Sequence, residues 1–180
     1  MKVPKQIFIE DLMLGQIAVI EGRMRPGQYS CAGFLDQNQS LREVIETDAK
    51  VLEEYEITHK QVGDRLESLM GQADRGDLVN DFLRVFAVGW RGYQFCPFFY
   101  ETEKLDLGSR LYSCGRGDHD FTVKNERQGT EIRFPQLMAH LVRDHHFFEG
   151  NVSYRLNPED AIKVLELKPG VDYTPKSYWK

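Results

Sequence analysis

The chain has 180 residues, of which 12% are aromatic and 28% charged, with a formal net charge of −5 and a pI near 5.6. These values describe a folded chain long enough to bury a core, and they exclude a disordered one. The acidic balance argues against nucleic acid or an anionic membrane as partner, because a phosphate-rich surface demands clustered positive charge.

The apolar residues at the N-terminus are interrupted by Glu10, Asp11 and Gln16, which leaves no signal-peptide core. No stretch approaches the roughly 20 apolar residues of a membrane span. A cytoplasmic location is therefore expected, where the three cysteines would stay reduced. Residues 16–24, "QIAVIEGRM", are β-branched and partly alternating, and predict a strand. "RPGQYSCAGF" is a loop turned by Pro26-Gly27, with Cys31 a packing cysteine.

Two helices follow. Ser40 and Glu43 form an S-x-x-E capping box, and Leu41, Val44, Ile45, Val51, Leu52 and Tyr55 recur at helical spacing. Thr58 and Gln61 repeat the box, Ile57 and Val62 stand as a hydrophobic staple, and Gly71 is a stop signal. Residues 40–71 thus predict a tight helical hairpin. After the polar stretch 71–77, "DFLRVFAVGWRGYQFCPFFY" favours one bent strand or two short ones, with a helix over 78–86 as the competing reading. "RLYSC" is the returning strand of a hairpin centred near Leu105, and "HDFTVKN" and "TEIRF" flank a second turn. Pro135 opens a helix, and Asn157 caps a last one with Pro158 at its first position. The predicted class is α+β: an N-terminal strand and helical hairpin, then a mainly antiparallel β region followed by two short helices. The expected organisation is one domain over 1–180, with a candidate division into a helical part, 1–76, and a β-rich part, 77–180.

The chemistry-bearing residues gather in the second part. Opposed in a hairpin, Cys96 and Cys114 would stand about 4.5 to 5.5 Å apart at Cβ, close enough to share one ion. His140 and His145 have H-x4-H spacing, which falls within the range of Cys2His2 zinc sites. An ideal helix separates them by about 140°, so the helix is expected to loosen between them. With Phe134 and Leu137 they make "F-x2-L-x2-H-x4-H", which resembles the helical half of a Cys2His2 zinc finger. The resemblance implies a ligand geometry and neither that fold nor DNA reading, because seventeen residues separate the cysteines. His119 is a substitute ligand, and Asp144, one turn from His140, could orient its ring. Four protein ligands close the shell of a zinc ion, which makes the site structural.

Other signals are weaker. His59, Lys60, Gln61 and Arg65 could face a nucleic-acid groove, but residues 41–70 carry eight acidic and four basic side chains. Cys96 or Cys114 with His119 or His140 could form a nucleophile pair, for which the sequence places no third orienting group. "GRGD" at 115–118 reads as a turn. The aromatic runs 90–100 and 145–155 should be mostly core; exposed, they would suit a partner or the stacking of a base or sugar. The expected role is a binding or interaction module with a protein partner and a structural zinc. A metal-dependent or cysteine–histidine hydrolase is the alternative, and nucleic-acid binding a third.

Overall fold

The computed structural model describes residues 14–73, 78–79, 82–98 and 114–175. Among the described residues there are five helices and an antiparallel sheet, so the α+β class holds. The elements are α1 (Leu14–Met24), α2 (Leu41–Glu54), α3 (His59–Met70), β1 (Leu78–Val79), β2 (Leu83–Phe95), β3 (Arg116–Asn125), β4 (Thr130–Pro135), α4 (Met138–His145) and α5 (Pro158–Leu165). The sheet order is β1-β2-β3-β4.

The predicted N-terminal strand is instead helix α1. Its β-branched residues suggest a strand, but Ile17, Ile20 and Met24 fall on one helical stripe and all three are buried, while Val19 is exposed. Burial of that stripe overrides intrinsic preference. α2 starts after Ser40, whose hydroxyl accepts from Glu43 N. α3 has the full capping box: Gln61 N donates to Thr58 Oγ1 (3.2 Å) and Thr58 N to Gln61 Oε1 (3.0 Å).

The tight hairpin of α2 and α3 is corrected. Glu56 adopts a left-handed conformation between them (φ 54°), and α3 packs chiefly on α4 while α2 meets α5. Gly63 permits the α3–α4 approach, since a Cβ there would lie 2.5 Å from Arg143 Cβ and 2.8 Å from the Ala139 carbonyl oxygen.

The strand reading of residues 83–95 holds and the competing helix does not. β2 pairs with β3 from Leu83↔Asn125 to Gly89↔His119, then again at Gln94↔Gly117. The second predicted hairpin is the β3–β4 pair. Of the predicted returning strand "RLYSC", residues 110–113 lie outside the described residues and Cys114 is in a bend, so β3 itself is the partner of β2. "GRGD" is accordingly the start of a strand, not a turn. Pro135 ends β4 rather than opening a helix. β4 is the last strand in the sheet order, where a missing N–H is tolerated, and Gln136 N extends the ladder to the His119 carbonyl (2.8 Å). α5 begins as expected, with Asn157 Oδ1 accepting from Glu159 N and Asp160 N.

Two apolar clusters hold these elements. The first joins Val62, Leu66 and Leu69 of α3 to Leu83, Val85, Phe121, Val123, Ile132 and Phe134 of the sheet and to α4 and α5. The second joins α1 and α2 to Cys96, Phe98, Leu137, Leu141 and Phe147. The candidate metal ligands lie at this second cluster. Among the described residues, no helix is long and apolar enough to cross a membrane.

Candidate metal centre

The end of β2, the entry to β3 and the helix α4 meet at one point. Cys96 N donates to the Gly115 carbonyl (2.9 Å), so the ladder sets Cys96 against Gly115, one residue from the direct opposition to Cys114 expected from the sequence. The predicted turn near Leu105 lies outside the described residues. Despite the offset the sulfurs converge. Cys96 Sγ and Cys114 Sγ each lie 3.3 Å from His145 Nε2. Cys114 Sγ is 3.2 Å from His140 Nε2, and the two imidazole Nε2 atoms are 3.2 Å apart.

The ligand atoms of Cys96, Cys114, His140 and His145 all lie within 4.8 Å of one another, and the group could hold a metal ion. Zinc bonds of about 2.3 Å to sulfur and 2.0–2.1 Å to nitrogen imply tetrahedral edges of roughly 3.3 to 3.8 Å. Four of the six edges, at 3.2 to 3.3 Å, match this range to within a few tenths of an ångström. The histidines converge without the loosening expected between them: both belong to α4, and only His146, beyond it, turns left-handed (φ 58°).

The surroundings fix each ring. Asp144 takes the orienting position, with Oδ2 2.6 Å from His140 Nδ1, and is itself held by Arg143 Nε (3.2 Å to Oδ1). Phe98 stacks on His145 at 4.2 Å between centroids and 5° between planes. Gly115 leaves room for His140: a Cβ there would stand 2.5 Å from its Cδ2. Arg23 reaches across from α1, donates to the Pro97 carbonyl (2.9 Å) and brings a positive charge near Cys96. Cys96 and His145 are buried; Cys114 and His140 are partly exposed.

The protonation states follow from this packing. Burial, reinforced by the neighbouring Cys114, pushes the Cys96 thiol up. The hydrogen bond with Cys96 pulls Cys114 down, and His140 and His145 assist against the cost of its burial. Burial opposes a charge on His140, but the bonds to Asp144 and Cys114 outweigh it and raise the imidazole to about 9. Burial likewise opposes the Asp144 charge and is outweighed by His140 and Arg143, which bring the carboxyl down to about 2. The cluster thus has thiolate character at Cys114, and a divalent cation would displace the proton on His140.

His119 stands apart from this group. Its Nδ1 is 2.6 Å from Asp118 Oδ1, and its ring lies across from Gly89 in the neighbouring strand. Cys31, expected to pack, is exposed. The side chains weighed as a nucleic-acid face make intramolecular contacts instead. His59 stacks on His146 (4.1 Å), Arg65 lies over Tyr173, Lys60 pairs with Asp64, and Gln61 Nε2 donates to the Lys168 and Val171 carbonyls. Of the aromatic runs, Phe98, Phe147 and Phe148 are core, whereas Trp90, Tyr93 and Tyr154 are exposed. Those three rings border a cleft; the exposed alternative weighed for the two aromatic runs applies to them, and the core reading does not.

No family model matches the chain, and no match is found among curated proteins or solved structures.

Proposed function

We propose that the protein is a binding or interaction module in which Cys96, Cys114, His140 and His145 hold a structural zinc ion. The observation that carries this reading is the convergence of four donor atoms within 4.8 Å of one another. Two thiolates and two imidazoles form a donor set that suits zinc over harder cations. Four protein donors leave no coordination position for an activated water, so the ion's contribution is to stability. It would tie β2, β3 and α4 to the cluster built on α1 and α2. A reducing cytoplasmic compartment, which we propose for the chain, keeps both thiols available.

A second reading rests on one specific alignment. Cys114, His140 and Asp144 follow one another at 3.2 Å and 2.6 Å, the order of a nucleophile, its base and the group that orients the base. This supports the cysteine–histidine hydrolase alternative. Alkylation separates the two. With a structural metal in place, iodoacetamide should label the exposed Cys31 and reach Cys96 and Cys114 only after a chelator is added. Rapid labelling of Cys114 in untreated protein would instead favour the nucleophile.

A further inference from the structure

Away from the metal centre, Trp90, Tyr93, Tyr154, Asp118, His119 and Asp120 border a cleft with a cavity volume of about 350 Å³, within the size range of small-ligand sites. The cleft exists because the β2–β3 ladder is interrupted. Pairing stops at Gly89↔His119 and resumes at Gln94↔Gly117, so residues 90–93 arch out opposite Asp118 alone. Gly92, at φ +118°, permits the arch. Such bulges re-aim side chains, and this one carries two aromatic rings at its crest. Trp90 is 59% exposed, Tyr93 52% and Tyr154, across the cleft, 38%. A bend in a strand needs no aromatic residues; rings held in water around a concavity are a binding feature.

The charge of the cleft selects among ligands. Asp118 and Asp120 supply carboxylates to one wall. Glu149, near enough to Asp120 to feel its charge, is fully buried, and both its oxygens lack a hydrogen-bond partner among the described residues. Burial pushes the Glu149 carboxyl up, with the charge of Arg155 opposing the shift and that of Asp120 adding to it. Aromatic faces are themselves negative and attract cations. One already does so at the margin, where the Arg116 guanidinium lies 4.8 Å from the Tyr93 centroid. A nucleotide would bring its phosphates against the two carboxylates. Ser30 and Gln94 also line the cleft and could bond a sugar, so a neutral sugar is the competing ligand that the test must separate.

We propose that this cleft binds an organic cation with an apolar shell, of the methylated-ammonium class, with the rings around its methyl groups and Asp118 and Asp120 facing its charge. This gives the binding-module reading a ligand and does not depend on the metal centre.

The test uses the full chain with Trp179→Phe, which leaves Trp90 as the single tryptophan of the two in the sequence. Its emission is followed during titration with choline, and separately with 3,3-dimethyl-1-butanol, the uncharged isostere, at constant ionic strength. The expected result is a saturable change with choline and binding at least about tenfold weaker for the isostere. Asp120→Asn should weaken choline about tenfold as well, with Tyr154→Ala as the second variant, read by ligand-observed NMR on samples whose melting is unchanged. Absence of saturation with choline, equal affinity for the isostere, or preferential binding of glucose would overturn the proposal. The choline–isostere contrast needs no cleft mutation, so it decides even if a variant fails to fold. Zinc content of the same preparation is measured separately; a metal-free protein that binds choline would refute the metal reading and leave this one standing.

Discussion

Asp144 and His140 sit one helical turn apart and meet at 2.6 Å, Oδ2 to Nδ1, which directs His140 Nε2 toward Cys114. A carboxylate in that position fixes the tautomer and the plane of the ring and raises its basicity. In the metal reading this contact prepares a ligand; in the nucleophile reading it prepares a base.

Replacing Asp144 by asparagine keeps the shape and removes the charge. The expected outcome is a 10- to 100-fold loss of zinc affinity, measured by competition with a chromophoric chelator. An unchanged affinity would show that the carboxylate has no part in holding His140.

Two glycines make steric predictions. Gly115→Ala would place a Cβ 2.5 Å from His140 Cδ2. The ring must move, so zinc affinity should fall at least as far as for Asp144→Asn. Gly63→Ala would meet Arg143 Cβ at 2.5 Å between α3 and α4, and should cost about 1–3 kcal/mol of stability in urea unfolding, with zinc stoichiometry retained. A Gly63 variant as stable as the parent would contradict the close packing of α3 on α4.

Zinc binding should release protons. Near neutral pH the buried Cys96 keeps its thiol proton, and His140, raised to about 9, is an imidazolium. Both must become neutral-imidazole and thiolate ligands, so about two protons should leave per ion. Calorimetry at pH 7.4 in buffers of different ionisation enthalpy reads this number directly; no buffer dependence would mean that the donors are already deprotonated.

His59 predicts an acid-sensitive fold. Burial, with a smaller effect from the stacked His146, lowers its imidazole from 6.5 to about 4. Above pH 6.5 both folded and unfolded chains carry it neutral, and it does not affect stability. As the pH falls from 6.5 toward 4 the unfolded chain takes up a proton that the folded chain refuses, so stability declines. The loss should approach roughly 2 kcal/mol, allowing for the partial exposure of the ring. His59→Phe should flatten the decline relative to the parent in urea melts between pH 7 and pH 4.5. Parallel curves for the two proteins would rule out His59 as the source.

Much of this architecture could be read from local patterns. The caps at Ser40, Thr58 and Asn157 located three helix starts because the side chain that satisfies orphan amides sits within a few residues of them. Cys96, Cys114, His140 and His145 could be grouped because a hairpin would oppose the two cysteines and the two histidines have the spacing of a Cys2His2 site. What failed was set by distant contacts. α1 looked like a strand because Ile17, Val19 and Ile20 carry β preference; the 17, 20, 24 spacing held the correct answer but weighed little in a short segment. Pro135 fits a helix start or a strand end equally well until β4 is known to lie last in the sheet. The partner of α3 was invisible because Gly63 shows only that something comes near, not that it is α4. Trp90 and Tyr93 looked like core because the shift in register that lifts them out belongs to the β2–β3 pairing and not to β2 alone.

The central claim is that one metal ion sits among Cys96, Cys114, His140 and His145, and elemental analysis tests it most directly. Protein purified without chelator from zinc-replete medium should contain about one equivalent of zinc, and Cys96→Ser with His145→Asn should abolish it. Less than about a tenth of an equivalent in the unmodified protein, with no uptake of added zinc, would contradict the account.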